Sequence, residues 1–93
     1  MSQEPPNLAA AGSEEFNLEM PLSRQLKLHI ARTVAQVRVS RGLTQQQLAD
    51  AAELSRATVH LIEGGLGDPR LSTIARLAEA LNVKLMDLLD PPR

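Results

Sequence analysis

From Ser23 onward, apolar residues recur at helical spacing. Leu26, Ile30, Val34 and Val37 follow one another at intervals of four, four and three, which marks one face of a helix that Ser23 caps and that runs to about Arg41. Gly42 ends it. Thr44 caps a second, short helix from Gln45 to about Ala52, and Gln47 at its third position completes a capping box. Leu48 and Ala52 of this helix turn inward. Ser55 caps a third helix, about Arg56 to Glu63, that buries Val59 and Ile62. Gly64, Gly65, Gly67 and Pro69 form a loop. A fourth helix, from about Leu71 or Ser72 to Leu81, buries Ile74, Leu77, Ala78 and Leu81. A fifth covers about Leu85 to Leu89 before Pro91-Pro92 stops it. No run of β-branched residues suggests a sheet, so the predicted fold is all-α with five helices.

Upstream the pattern changes. Residues 1–22 carry Glu4, Glu14, Glu15 and Glu19 with no Lys or Arg, a charge of −4. Residues 23–93 hold all ten basic groups and seven acidic ones, a charge of +3. The first stretch also contains Pro5-Pro6, small residues from Ala9 to Ser13, and Pro21. Such a segment buries too little apolar area to offset ordering, which predicts a mobile acidic tail over 1–22 and a folded domain over 23–93. Within the tail, Phe16, Leu18, Met20 and Leu22 alternate with polar residues or proline. That period of two leaves open a short strand or arm added to a partner.

Composition narrows the function. Ninety-three residues with a net charge of −1 suffice for one small domain. The absence of cysteine removes disulfide frameworks, Cys-ligated zinc and thiol catalysis together. Phe16 is the only aromatic residue, which argues against a single-stranded nucleic-acid reader, since those stack bases on aromatic platforms. No apolar run approaches the roughly 18 residues of a membrane helix, and no signal peptide opens the chain. The expectation is a soluble cytoplasmic protein. No nucleophile–base pair, metal-ligand cluster or phosphate-cradling loop leads into a helix, so neither an enzyme nor a cofactor is expected. Gly64-Gly65-x-Gly67 follows a helix and is no dinucleotide fingerprint. His60 lacks companions at ligand spacing and reads as a plain imidazole.

The second and third helices are each too short to be stable alone. They hold together by crossing steeply around Leu48, Ala49 and Val59, the geometry of a helix-turn-helix unit. In such a unit the second helix projects into the DNA major groove while the end of the first meets the backbone.

The ordered series Arg38-x-x-Arg41-Gly42-Leu43-Thr44-Gln45-x-x-Leu48-Ala49, then Ser55-x-x-Thr58-Val59-x-x-Ile62-Glu63-x-Gly65, continues through Pro69 and Thr73-Ile74-x-x-Leu77-Ala78-x-Ala80-Leu81-x-Val83 to Asp87-Leu88-Leu89. Over about residues 27–90 the chain resembles the phage repressor and Cro-type (XRE family) helix-turn-helix domains. The resemblance implies a five-helix, lambda-repressor-like bacterial or phage DNA-binding domain. It further implies a homodimer on a palindromic double-stranded operator, hence a nucleoid-associated protein.

The DNA-binding residues it implies are Thr44, Gln45, Ser55, Arg56, Ala57, Thr58, Leu61 and Arg70. Gln45, at a helix N-terminus with free N–H groups, hydrogen-bonds a phosphate in the family and braces the recognition helix. Arg56, Ala57 and Thr58 open that helix; Arg56 reaches either guanine O6 and N7 or a phosphate. Leu61, one turn on, either meets a thymine methyl or packs on the protein's own surface. Arg38 and Glu63 form a structural pair in the family. The Gly64–Pro69 loop, Arg70, Ser72 and Thr73 either line further phosphates or merely connect helices. The family's usual turn glycine is replaced by Glu53, at a cost on the order of 1 kcal/mol in left-handed backbone.

A domain charge of +3 predicts weak binding to random DNA. Two copies related by a two-fold axis place recognition helices about 34 Å apart, and Leu85, Met86, Leu88 and Leu89 offer the apolar surface for that dimer. The function expected is a dimeric transcriptional regulator. A stand-alone repressor, a restriction–modification controller and an antitoxin with a toxin partner all fit, and so does an interaction module that has lost DNA binding.

Overall fold

The computed structural model describes residues 20–90. Five helices follow one another: α1 (Leu22–Ser40), α2 (Gln45–Ala52), α3 (Arg56–Glu63), α4 (Leu71–Leu81) and α5 (Leu85–Leu89). The fold is all-α, as the periodicity predicts. The proposed tail lies almost entirely outside the described residues, as do Phe16 and Leu18 of the alternating stretch. Leu22, its last member, stands in a helix.

Caps set most boundaries. Thr44 Oγ1 accepts from Gln47 N–H at 3.0 Å, and Gln47 Oε1 accepts from Thr44 N–H at 2.9 Å, so the capping box of α2 is complete. Ser55 Oγ accepts from Thr58 N–H at 3.0 Å and starts α3. Asp87 Oδ2 accepts from Lys84 N–H at 3.0 Å and starts α5. Ser23 does not cap α1. Pro21 holds that position at φ −56° and ψ 148° with no side-chain cap bond, and its carbonyl accepts from Arg24 and Gln25 N–H groups at 3.0 and 3.1 Å. A proline there needs no donor and already has the required φ, so the helix starts earlier than the serine suggests.

Ile30, Ala31 and Val34 of α1, Leu48, Ala49 and Ala52 of α2, Val59 and Ile62 of α3, Ile74, Leu77, Ala78 and Leu81 of α4, and Leu88 of α5 form the core, with no buried polar residue among them. Burying a leucine or valine of this kind stabilises the fold by about 1.5–3 kcal/mol. α2 packs on α3 and α4, while α1 runs against α3, α4 and α5. Leu26 departs from its expected inward place and keeps 38% of its surface exposed. α1 meets the α3–α4 loop further along, where Leu28 approaches Gly65. Leu88 is also corrected: it is fully buried in its own chain and so is not free to meet a second copy. Leu85 and Leu89 are half-buried against the same core, and of the proposed dimer set only Met86 is exposed.

Glu53 ends α2 at φ 59° and ψ 43°, the left-handed conformation expected for it. Its carbonyl accepts from Arg76 Nη1 at 3.3 Å, and its side chain is exposed. Nothing among the described residues holds the carboxylate. Glu53→Gly is expected to raise the unfolding midpoint by roughly 2–6 °C, as relief of the left-handed strain outweighs the added freedom of the unfolded chain. Thermal scans check this, with DNA affinity unchanged.

Candidate nucleic-acid interface

α2 and α3 meet through Leu48, Ala49 and Val59, all fully buried. The small Ala49 lets the two helices approach closely. The turn between them is held by Leu54 N–H donating to the Ala49 carbonyl at 2.8 Å. Short helices packed this way cannot rotate independently, so anything that fixes one end of α3 fixes the aim of the other.

That fixing point is Glu63. Its side chain is only 7% exposed and that of Arg38 16%. Arg38 donates through Nε to Glu63 Oε2 at 2.6 Å and through Nη2 to Oε1 at 3.1 Å. A third bond runs from Arg38 Nη1 to the Leu43 carbonyl at 2.7 Å. The hydrogen bond that Arg38 donates to Glu63 raises the guanidinium pKa further above its already high value, against the opposing effect of burial. Glu63 Oε1 also accepts from Gln45 Nε2 at 3.0 Å. One carboxylate therefore ties the end of α1, the start of α2 and the end of α3. The resemblance anticipates the arginine pair and the bracing by Gln45; that Arg38 and Gln45 share the one Glu63 carboxylate emerges only from the structure.

The other end of α3 is open. Arg56 and Ala57 are exposed and Thr58 is half-buried. Ser55 and Thr58 hydroxyls lie 2.8 Å apart and hold each other in place. Neither Arg56 nor Arg70 forms an ion pair among the described residues. Both cations are thus available to an anion, while Arg38 is committed inside. Arg70 occupies the cap position of α4 with no side-chain bond to the helix. Between α3 and the start of α4 lies an open groove of about 330 Å³ that Thr58, Leu61, Arg70 and Thr73 share with the loop Leu66–Pro69. Thr44 and Gln45 sit at the start of α2, outside this groove. His60 is exposed, and no cluster of metal-ligating side chains occurs among the described residues.

Leu61 keeps 46% of its surface exposed and is not among the side chains packed against the core. Leu66 escapes sequence reasoning. No sequence signal marks its exposure, because directly after Gly65 a helix end usually turns an apolar residue back onto its own last turn. Gly65 is favoured by its φ of 71°, and a Cβ there would stand 3.0 Å from Leu28 Cδ2, so that side chain would have to give way slightly.

A locked helix pair whose second member presents an uncommitted N-terminal face defines a helix-turn-helix DNA-binding protein. The family comparison agrees, since the helix-turn-helix family HTH_3 matches residues 34–88. The chain belongs to this family, with the Cro-like architecture of its DNA-binding domains, and is a sequence-specific DNA-binding transcriptional regulator.

A hypothetical transcription factor of Neisseria meningitidis is 33% identical over 75 residues, covering 81% of this chain and 71% of the relative. The crystal structure of the hypothetical transcription factor NHTF from Neisseria matches with a TM-score of 0.71 at 32% identity, over 83% of this chain and 88% of that one. The restriction-modification controller protein C.AhdI from Aeromonas hydrophila matches with a TM-score of 0.65 at 29% identity, over 67% of this chain and 94% of its own.

Proposed function

We propose that this protein binds a palindromic operator as a homodimer, with α3 of each copy in the major groove. The observation that carries the reading is the asymmetry of α3. Its C-terminal end is locked through Glu63, while Arg56, Ala57 and Leu61 face outward. Arg56 meets a guanine edge or a phosphate; Gln45, Thr44 and Ser55 approach the backbone at helix starts, and Arg70 meets the next phosphate along. The described residues carry nine basic and seven acidic groups, a charge of +2. So small an excess supports weak non-specific binding and a need for two half-sites. The similarity to the controller C.AhdI supports a regulatory role.

Dimerisation involves α5 and the end of α1, which pack together. Met86 on α5 is 60% exposed and Val39 near the end of α1 is 64% exposed, and a two-fold contact covers each such residue twice. Met86→Glu is expected to weaken the dimer by at least about tenfold. Sedimentation equilibrium checks this, with operator affinity falling in parallel and the monomer's melting curve retained. The reading as a whole is tested by retention from a randomised duplex pool at two salt concentrations. A recovered palindrome with half-site centres about ten base pairs apart supports it. Sequence-blind binding that salt abolishes overturns it.

A further inference from the structure

Four helices of this chain close in the same way. At Gly42, Glu53, Gly65 and Asn82 the backbone turns left-handed. The next residue's N–H then reaches back five positions, Leu43 to Arg38, Leu54 to Ala49, Leu66 to Leu61 and Val83 to Ala78, at 2.8 to 3.1 Å. The residue after such a turn is usually apolar and packs inward. Leu43, Leu54 and Val83 do so against the core. Leu66 does not: it remains 59% exposed, beside Leu61 in the groove that flanks the recognition helix.

We propose that Leu61, backed by Leu66 and standing one turn from Ala57, reads the C5-methyl group of a pyrimidine in the major groove. This deepens the proposed function and rests on α3 entering that groove. Ala57 and Leu61 lie four residues apart and so share a face of α3. Neither side chain donates or accepts a hydrogen bond. A base edge presenting only polar atoms to them loses its water without replacement, which disfavours it. A C5-methyl group has no hydrogen bond to water to lose and gains by leaving water for apolar contact. Two pyrimidines present that methyl in the major groove, thymine and 5-methylcytosine, and Leu61 has no polar atom with which to tell them apart. Arg56, earlier on the same helix, supplies the polar half of the readout. The half-site therefore joins a position read through a cation to one read through a single methyl group.

The test uses the duplex recovered from the pool, labelled for fluorescence anisotropy. Each thymine is replaced singly by deoxyuridine, which removes only the methyl. At one position per half-site the wild-type protein should lose about fourfold in affinity, the worth of one buried methyl-sized group. Leu61→Ala, an exposed substitution, should keep the wild-type melting temperature and be indifferent to the same replacement. At that position, tighter binding of 5-methylcytosine than of cytosine admits both sources of the methyl, whereas equal binding assigns the contact to thymine. Indifference of the wild type to deoxyuridine at every position overturns the inference while leaving an Arg56-dependent operator intact. An equal loss in the wild type and Leu61→Ala overturns it too. A pool that yields no operator removes the proposed function, and this inference with it.

Discussion

Glu63→Ala should lower the unfolding midpoint by on the order of 10–20 °C, corresponding to about 2–3 kcal/mol in a domain of this size. The carboxylate accepts from three nitrogens: Arg38 Nε and Nη2, and Gln45 Nε2. Removing it strands a mostly buried guanidinium with only the Leu43 carbonyl at 2.7 Å as partner. The arginine cannot escape by losing its proton, since a guanidinium stays protonated at any workable pH. A variant that removes both charges, Arg38→Met with Glu63→Leu, leaves no orphan and should lose less than Glu63→Ala alone. Thermal scans of Arg38→Met, Glu63→Leu and the variant carrying both form a cycle. If the single losses simply add, the pair is not coupled and the lock at the end of α3 is not electrostatic. DNA affinity, measured where every variant is folded, should also fall in Glu63→Ala, because α3 loses its tie to both α1 and α2.

That lock shows what a sequence can and cannot express. Thr44 with Gln47, and Ser55 with Thr58, are local patterns within four residues, so the starts of α2 and α3 are legible from the chain. The left-handed Glu53 is anticipated through the resemblance alone, since the family's usual residue at that turn is glycine. Arg38 and Glu63 are 25 positions apart, and only resemblance to a family brings them together. Ser23 misleads because serine before an apolar periodic run is the ordinary sign of a helix start, while Pro21 meets the same need without a side-chain bond. Leu88 misleads for a different reason. An excess of leucines on a five-residue helix does not reveal how many reach its own core. Only the packing of α5 against α1 and α4 decides that Leu88 goes in and Met86 stays out. Leu66 was hidden because the apolar residue after a helix-ending glycine normally packs inward, and its exposure is a property of the assembled groove.

Arg56→Ala should weaken operator binding by about 1–3 kcal/mol per half-site if the guanidinium reads guanine, so a dimer loses roughly 30- to 20,000-fold. Arg56 is the first residue of α3 and is exposed, and it has no ion pair among the described residues to break before it meets DNA. Its removal therefore leaves the fold intact, and the melting temperature should stay within about 2 °C of wild type. The form of the affinity loss separates the two roles open to it. A base-reading arginine confines the loss to the recovered operator and relaxes one position of the half-site, with binding to random DNA nearly unchanged. A phosphate-binding arginine weakens all duplexes alike and reduces the slope of log K against log salt by about one for each copy. Titrations of operator and scrambled duplexes at three salt concentrations measure both quantities at once. Little Coulombic attraction is available to a domain with nine basic and seven acidic described residues, so a discriminating contact at Arg56 accounts better for specific binding than one more phosphate. The expected outcome is the first: operator affinity falls steeply, random-sequence affinity hardly moves, and the salt slope stays close to that of the wild type.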